Sequence, residues 1–199
     1  MIAIIDYRLG NVQSVANAFD ALGIDTCLTS DADLIQKADA LVLPGVGAAG
    51  QGMQNLRNLK LDRLISRHVE RGKPILGICL GMQLLFTRSA EDDTACLDLI
   101  KGEVVRFTDE LKVPHIGWNK VESRAGAKLF KGIERDYFYF ANSYYCQPED
   151  KDAIVATTEY GRDFCSSIEA NNIYGTQFHP EKSSKAGLQI WKNFINLVA

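Results

Sequence analysis

Three short runs, apolar on both faces, constrain the fold most: Ile2-Ala3-Ile4-Ile5, Ala40-Leu41-Val42-Leu43 and Pro74-Ile75-Leu76-Gly77-Ile78. A strand with one solvated face alternates apolar and polar residues, so an unbroken apolar run predicts a strand covered on both sides. Between the first two runs, Val12, Val15, Phe19 and Leu22 recur at the spacing of one buried helix face, which Gly23 ends. A strand is expected over 25–28. Leu61, Leu64, Ile65 and His68 mark a second helix, with Gly72 as its stop. Strands alternating with helices in this way predict an α/β fold, a mostly parallel central sheet flanked by helices. The second half reads differently. Residues 103–107, 137–140, 154–158, 164–168 and 173–178 read as successive strands with few helices between them, so antiparallel additions are expected. Leu188, Trp191, Ile195 and Val198 form a closing helical stripe, with Ser183-Ser184 as its N-cap. There is no internal repeat, low-complexity tract or linker, and residues 1–199 are expected to form a single domain.

Charge and cysteine usage narrow the class of function. The net charge of −3 provides no electrostatic case for nucleic acid or an anionic membrane. No apolar run is long enough to span a bilayer, and Met1–Asp6 reads as a core strand rather than a cleavable signal, so a cytoplasmic protein is expected. The five cysteines are widely spaced, odd in number and contain no C-x-x-C pair. That pattern argues against both a disulfide framework and a zinc site. A cysteine that matters here matters through its thiolate.

Only Cys79 sits in a segment built to present it. Gly77-Ile78-Cys79-Leu80-Gly81 follows an apolar strand and precedes the helical residues Met82–Phe86. A sharp strand-to-helix turn lifts a nucleophile out of a sheet, and flanking glycines let the backbone pass without Cβ clashes. The start of the helix also favours thiolate over thiol. A buried structural cysteine is the simpler alternative for any free Cys.

A cysteine nucleophile needs a base. His68 lies on the apolar stripe of a helix and is expected to be a core histidine. His115 follows Pro114 in what reads as a loop, without a nearby acid. His179 ends a strand and is followed by Pro180 and Glu181, a carboxylate that can orient an imidazole and stabilise its charged form. The C-terminal ends of parallel strands share one edge of the sheet, so Cys79 and His179 are expected to meet there. An oxyanion hole would complete the site, with each donor worth about 3 kcal/mol. The Leu80 N–H is one natural donor, and the Pro44-Gly45-Val46-Gly47 turn, through Val46 and Gly47, is a source of another. These parts add up to acyl transfer through a thioester, on an amide or an ester.

Three segments together, Gly77–Gln83, Gly175–Glu181 and Pro44–Gly47, resemble the class I (triad) glutamine amidotransferases, in that family's order and over essentially the whole chain. The segment Pro114-His115-Ile116-Gly117-Trp118-Asn119 makes the chain most similar to the glutaminase subunits of imidazole glycerol phosphate synthase. The resemblance implies a flavodoxin-like fold and a Cys79, His179, Glu181 triad acting on glutamine. Gly45, Gln83, Glu91, Ser143 and Tyr144 would bind that substrate. It implies no cofactor and no metal. The implied partner is a (β/α)8-barrel cyclase subunit, joined in a heterodimer, that receives ammonia and forms imidazole glycerol phosphate and an aminoimidazole carboxamide ribotide. Asn11, Ile116, Trp118 and Lys182 would face it. One departure stands out: Asn142 precedes the Ser143-Tyr144 pair where the family commonly has histidine. A paralogous subunit feeding another amination and a non-catalytic module on the same fold are the alternatives at this stage.

Overall fold

The computed structural model describes residues 1–108, 110–133 and 135–198. The first apolar runs form the centre of the sheet. β1 (Ile2–Ile5) lies between β2 (Thr26–Thr29) and β3 (Ala40–Gly45), and β3 pairs with β4 (Ile75–Cys79), all in parallel. A late strand, β13 (Ile173–Thr176), adds to the far side of β4, again in parallel. The order 2-1-3-4-13 reverses direction between β1 and β3, the arrangement in which ligands bind at the C-terminal strand ends.

Both faces of this parallel layer are buried, as the unbroken apolar runs require. Ile2, Ile4, Val42, Leu76 and Ile78 pack on one side with Val15 and Phe19 of α1 (Val12–Asp20) and with Ile190, Trp191 and Phe194 of α6 (Ser184–Val198). The rings of Phe19 and Trp191 approach to 4.7 Å between centroids. Ala3, Ile5, Leu41, Leu43 and Ile75 face the other side. There they meet Ile35 of α2 (Ala32–Lys37), Met53 and Leu56 of α3 (Ala49–Asn58), and Leu61 and Ile65 of α4 (Leu61–Glu70). A short helix, α5 (Leu80–Leu84), follows β4 directly.

The antiparallel additions continue outward from β13. β12 (Asp163–Ala170) pairs with it, then β10 (Tyr144–Pro148), then β7 (Ile100–Arg106), which runs parallel to β5 (Phe86–Ser89); β6 (Thr94–Ala95) closes that edge. A branch off β12 carries β11 (Ile154–Glu159), β8 (His115–Ser123) and β9 (Arg135–Asn142). Among the described residues, no helix is long and apolar enough to cross a membrane.

Several local readings change. Residues 115–119 are not a loop: they open β8, paired residue for residue with β9, so Pro114 and Gly117 flank and interrupt a strand without breaking it. The strand over 173–178 stops at Thr176, although the Gln177 N–H still bonds the Ser166 carbonyl. Ser183 does precede α6, but its hydroxyl accepts from the Tyr139 N–H and donates to the His179 carbonyl. That side chain ties down the turn after His179.

Gly77 and Gly81 are required by close approach. A Cβ at Gly77 would fall 2.7 Å from the Met82 backbone nitrogen, and one at Gly81 would overlap the Leu43 carbonyl oxygen. Gly81→Ala should therefore lower stability by about 3 kcal/mol or more, since neither neighbour is a flexible side-chain tip. Chemical denaturation would measure this, and an unchanged midpoint would contradict the packing described.

Candidate active site

The end of β4 presents Cys79 in a conformation that side-chain-bearing residues seldom adopt, φ 53° and ψ −112°. α5 starts at the next residue, so the sulfur stands at a helix start on the C-terminal edge of the sheet. Gly45 is the β3 partner of Cys79 in register, which sets the 44–47 turn beside the nucleophile.

A cleft of about 320 Å³ opens here, and its walls bring together residues from distant parts of the chain. Val46, Gly47, Cys79, Leu80, Gln83 and Glu91 line one part; Asn142, Ser143, Tyr144, His179 and Lys182 line the other. Gly45 stands behind this wall. A Cβ there would overlap the Tyr7 hydroxyl and crowd Leu80 and the Gly81 nitrogen, so its place requires glycine. Gly47, at φ +100°, has open space around it.

His179 is held from two directions. Its backbone N–H donates to the Tyr139 carbonyl at 2.9 Å, and the Ser183 hydroxyl donates to its own carbonyl at 2.6 Å. On the ring, Nδ1 lies 2.8 Å from Glu181 Oε1, with both side chains almost wholly buried. A carboxylate at Nδ1 makes that nitrogen the donor and turns Nε2 towards Cys79. Burial pulls the His179 pKa down. The negative charge and hydrogen bond of Cys79, with those of Glu181, outweigh it and bring it up to about 10. The arrangement holds a protonated imidazole against sulfur, poised to hand that proton on.

The other titratable side chains contrast with this one. His68 bonds the Pro74 carbonyl at 3.1 Å, and desolvation brings its pKa to about 4, as a core histidine's would be. His115 is buried between Tyr160 and Phe140, with ring centroids at 4.0 and 4.9 Å, and desolvation lowers it to about 4. Burial pushes Cys96 up to about 11 and Cys165 up to about 12. Glu91 is raised by desolvation despite accepting the Ala49 N–H at 2.8 Å, a bond that ties the cleft to the start of α3.

The four residues expected at a partner surface lie around the cleft mouth or near the 44–47 turn. Ile116 and Trp118 on β8 are 64% and 51% exposed. Trp118 meets Tyr139 edge-on at 6.2 Å, and the Lys182 ammonium lies 5.7 Å from the Tyr139 ring centroid. Asn11 is exposed and follows Gly10, which packs on Pro44 and Gly45.

Sequence reasoning missed Gln177 and two wall residues, Pro114 and Ala141. Gln177 lies inside a motif already singled out, but a buried glutamine leaves no periodic signal. Asn142, noted only as a departure, donates through Nδ2 to the Tyr144 carbonyl at 2.9 Å, and its Oδ1 is buried with no protein partner.

The His179 pair has a pH signature. Because the folded pKa is raised above the usual 6.5, its contribution to stability is complete below about pH 6.5 and is lost as pH rises through about 10. In ring-labelled protein His179 should titrate only at alkaline pH, and Cys79→Ala should move its NMR midpoint down. A midpoint near 6.5 in the unsubstituted protein would contradict the geometry.

Comparison with known proteins agrees along the whole chain. The model of the family "Glutamine amidotransferase class-I" matches residues 3–197. The imidazole glycerol phosphate synthase subunit HisH of Methanothermobacter thermautotrophicus is 48% identical over 199 residues, covering 100% of this chain and 99% of that one. The protein of the same name from Moorella thermoacetica is 49% identical, covering 99% and 95%. A solved glutamine amidotransferase superposes with a TM-score of 0.80 at 16% identity, covering 100% of this chain and 99% of the other, a likeness of fold. The chain belongs to the class-I glutamine amidotransferase family, in the branch of the HisH subunits.

Proposed function

We propose that this protein is the glutaminase subunit of an imidazole glycerol phosphate synthase, hydrolysing glutamine and passing the ammonia to a cyclase subunit in histidine biosynthesis. Full-length relatives at 46–49% identity are named imidazole glycerol phosphate synthase subunit HisH, which supports this reading. The observation that carries the chemistry is the buried 2.8 Å His179–Glu181 pair turned towards Cys79 at the cleft floor.

Cys79 sulfur attacks the side-chain amide carbon, and the carbonyl oxygen takes up negative charge. The Leu80 N–H meets that charge from the start of α5, with Val46 and Gly47 supplying the opposing donor from their turn. His179 passes its proton to the nitrogen, the C–N bond breaks, and ammonia leaves a glutamyl thioester. The imidazole, now neutral, takes a proton from water as the water attacks the thioester. Glutamate departs and the sulfur regains its charge. Glu181 keeps the ring oriented throughout. Gln83, Glu91, Ser143 and Tyr144 hold the amino-acid end of the substrate, Glu91 being the acidic side chain that suits an ammonium group.

Residues 1–199 act in this reading as one glutamine amidotransferase domain, with the cytoplasm as its compartment. The full-length relatives are named as one subunit of a synthase, which supports an ammonia acceptor on a second chain, a (β/α)8-barrel cyclase. Ile116 and Trp118 suit that contact because large exposed apolar side chains are the usual anchors of an interface. Lys182 shares the Tyr139 ring with Trp118, and Asn11 would extend the contact from beside the 44–47 turn.

Two outcomes test the reading. In the complex with the cyclase, Cys79→Ala should abolish glutamine-dependent synthesis and leave synthesis from added ammonia intact; loss of both in an assembled complex would refute the division of labour. Trp118→Ala should weaken association with the cyclase by about 2 kcal/mol, roughly thirtyfold, by calorimetry. An unchanged affinity would remove β8 from the interface.

A further inference from the structure

Gln177 has no part in the mechanism above, yet its side chain touches the nucleophile. It is 0% exposed, and its backbone is anchored by the bond from its N–H to Ser166 at 2.9 Å. Its Nε2 lies 3.7 Å from Cys79 Sγ, and its Oε1 accepts from Gln83 Nε2 at 3.0 Å. The Ala141 carbonyl oxygen lies 4.0 Å from the sulfur and can only accept. A thiol can point its proton at that carbonyl. A thiolate needs donors instead, and Gln177 supplies one.

The direction of this contact follows from its far end. Gln83 Nε2 also bonds the Tyr144 carbonyl at 3.0 Å, and a main-chain carbonyl has no proton to give. Gln83 must therefore turn its NH2 group to this side, and the second hydrogen of that group points at Gln177. Gln177 answers with its oxygen, which leaves its own NH2 facing the sulfur. Flipping Gln177 would set two NH2 groups against each other and an oxygen against a thiolate, both repulsive. The relay from the Tyr144 carbonyl through Gln83 and Gln177 to sulfur thus has one self-consistent polarity. Asn142 Nδ2 donates to the same carbonyl at 2.9 Å.

We propose that Gln177 is a further catalytic residue, which donates a hydrogen bond to the Cys79 sulfur whenever that sulfur is negatively charged and is oriented for the task by Gln83 and the Tyr144 carbonyl. His179 is protonated in those same states and shares the role, but its proton leaves and returns within each cycle. An amide N–H transfers nothing and remains in place. Within the proposed glutamine hydrolysis, on which this clause rests, the same bond stabilises the sulfur again when the thioester C–S bond breaks and its electron pair returns to sulfur.

The test uses the resting protein, so it stands apart from glutaminase activity. Alkylation of Cys79 by iodoacetamide is followed by peptide mass spectrometry across neutral to alkaline pH. The partly exposed Cys27 and Cys96 serve as internal references. Gln177→Met should slow Cys79 alkylation at neutral pH by about tenfold, the worth of a hydrogen bond to a charged group, and converge to within about twofold at alkaline pH. Gln177→Glu keeps the acceptor towards Gln83 and replaces the donor with an anion, so it should slow the reaction further. It also supplies the test should Gln177→Met fail to fold by circular dichroism. A folded variant whose pH profile superimposes on the unsubstituted one, or whose rate falls equally at every pH, would overturn the proposal and leave Gln177 a packing residue.

Discussion

The left-handed turn at Cys79 exists because nothing stands where two Cβ atoms would be. Gly77 lets the backbone of Met82 approach, and Gly81 lets the start of α5 press against the Leu43 carbonyl of the neighbouring strand. With those approaches closed, β4 and α5 could not meet at one residue, and the sulfur would not stand at the edge of the sheet. Register then arranges the rest. Gly45 lies opposite Cys79 on one side, and the strand that leads to His179 lies on the other. The site is a consequence of parallel strands ending together.

Once the elements meet, electrostatics determines what they can do. The same burial that would strip His179 of its proton also strengthens its attraction to sulfur and to Glu181, and the attraction wins. His68 and His115 show the opposite result, since desolvation dominates at both and the pull of Asp39 on His68 is the weakest of the influences there. Three histidines with similar burial thus divide by the company they keep. A second, uncharged layer backs the ionic one: the Gln177 amide meets the sulfur and is held through Gln83 by the Tyr144 main-chain carbonyl.

The parallel layer was legible because a doubly buried strand has no room for polar residues, and the runs at 2–5, 40–43 and 74–78 say so directly. The triad was legible because a turn and a strand end carry strong local chemistry. Other parts left weaker traces. α3 contains Gly50 and Gly52 among polar residues, and its buried set of Ala49, Gly52, Met53 and Leu56 is too small to stand out; Gly52 is there so the helix can lie close to Leu84. β8 was hidden by Pro114 and Gly117, although its pairing with β9 is what displays Ile116 and Trp118. Gln177 lies in the motif that carries His179, but nothing in that motif marks which of its residues meets the sulfur. Its significance comes from partners 94 and 98 positions away, which only the fold brings near.

The proposed chemistry turns on a covalent bond between Cys79 and the glutamyl group during turnover. The most direct measurement is rapid acid quenching of the assembled complex during glutamine hydrolysis, followed by peptide mass spectrometry. A glutamyl adduct is expected on the peptide carrying Cys79, absent when glutamate replaces glutamine. Glutamate release with no adduct on that peptide, or with the adduct on another cysteine, would contradict it.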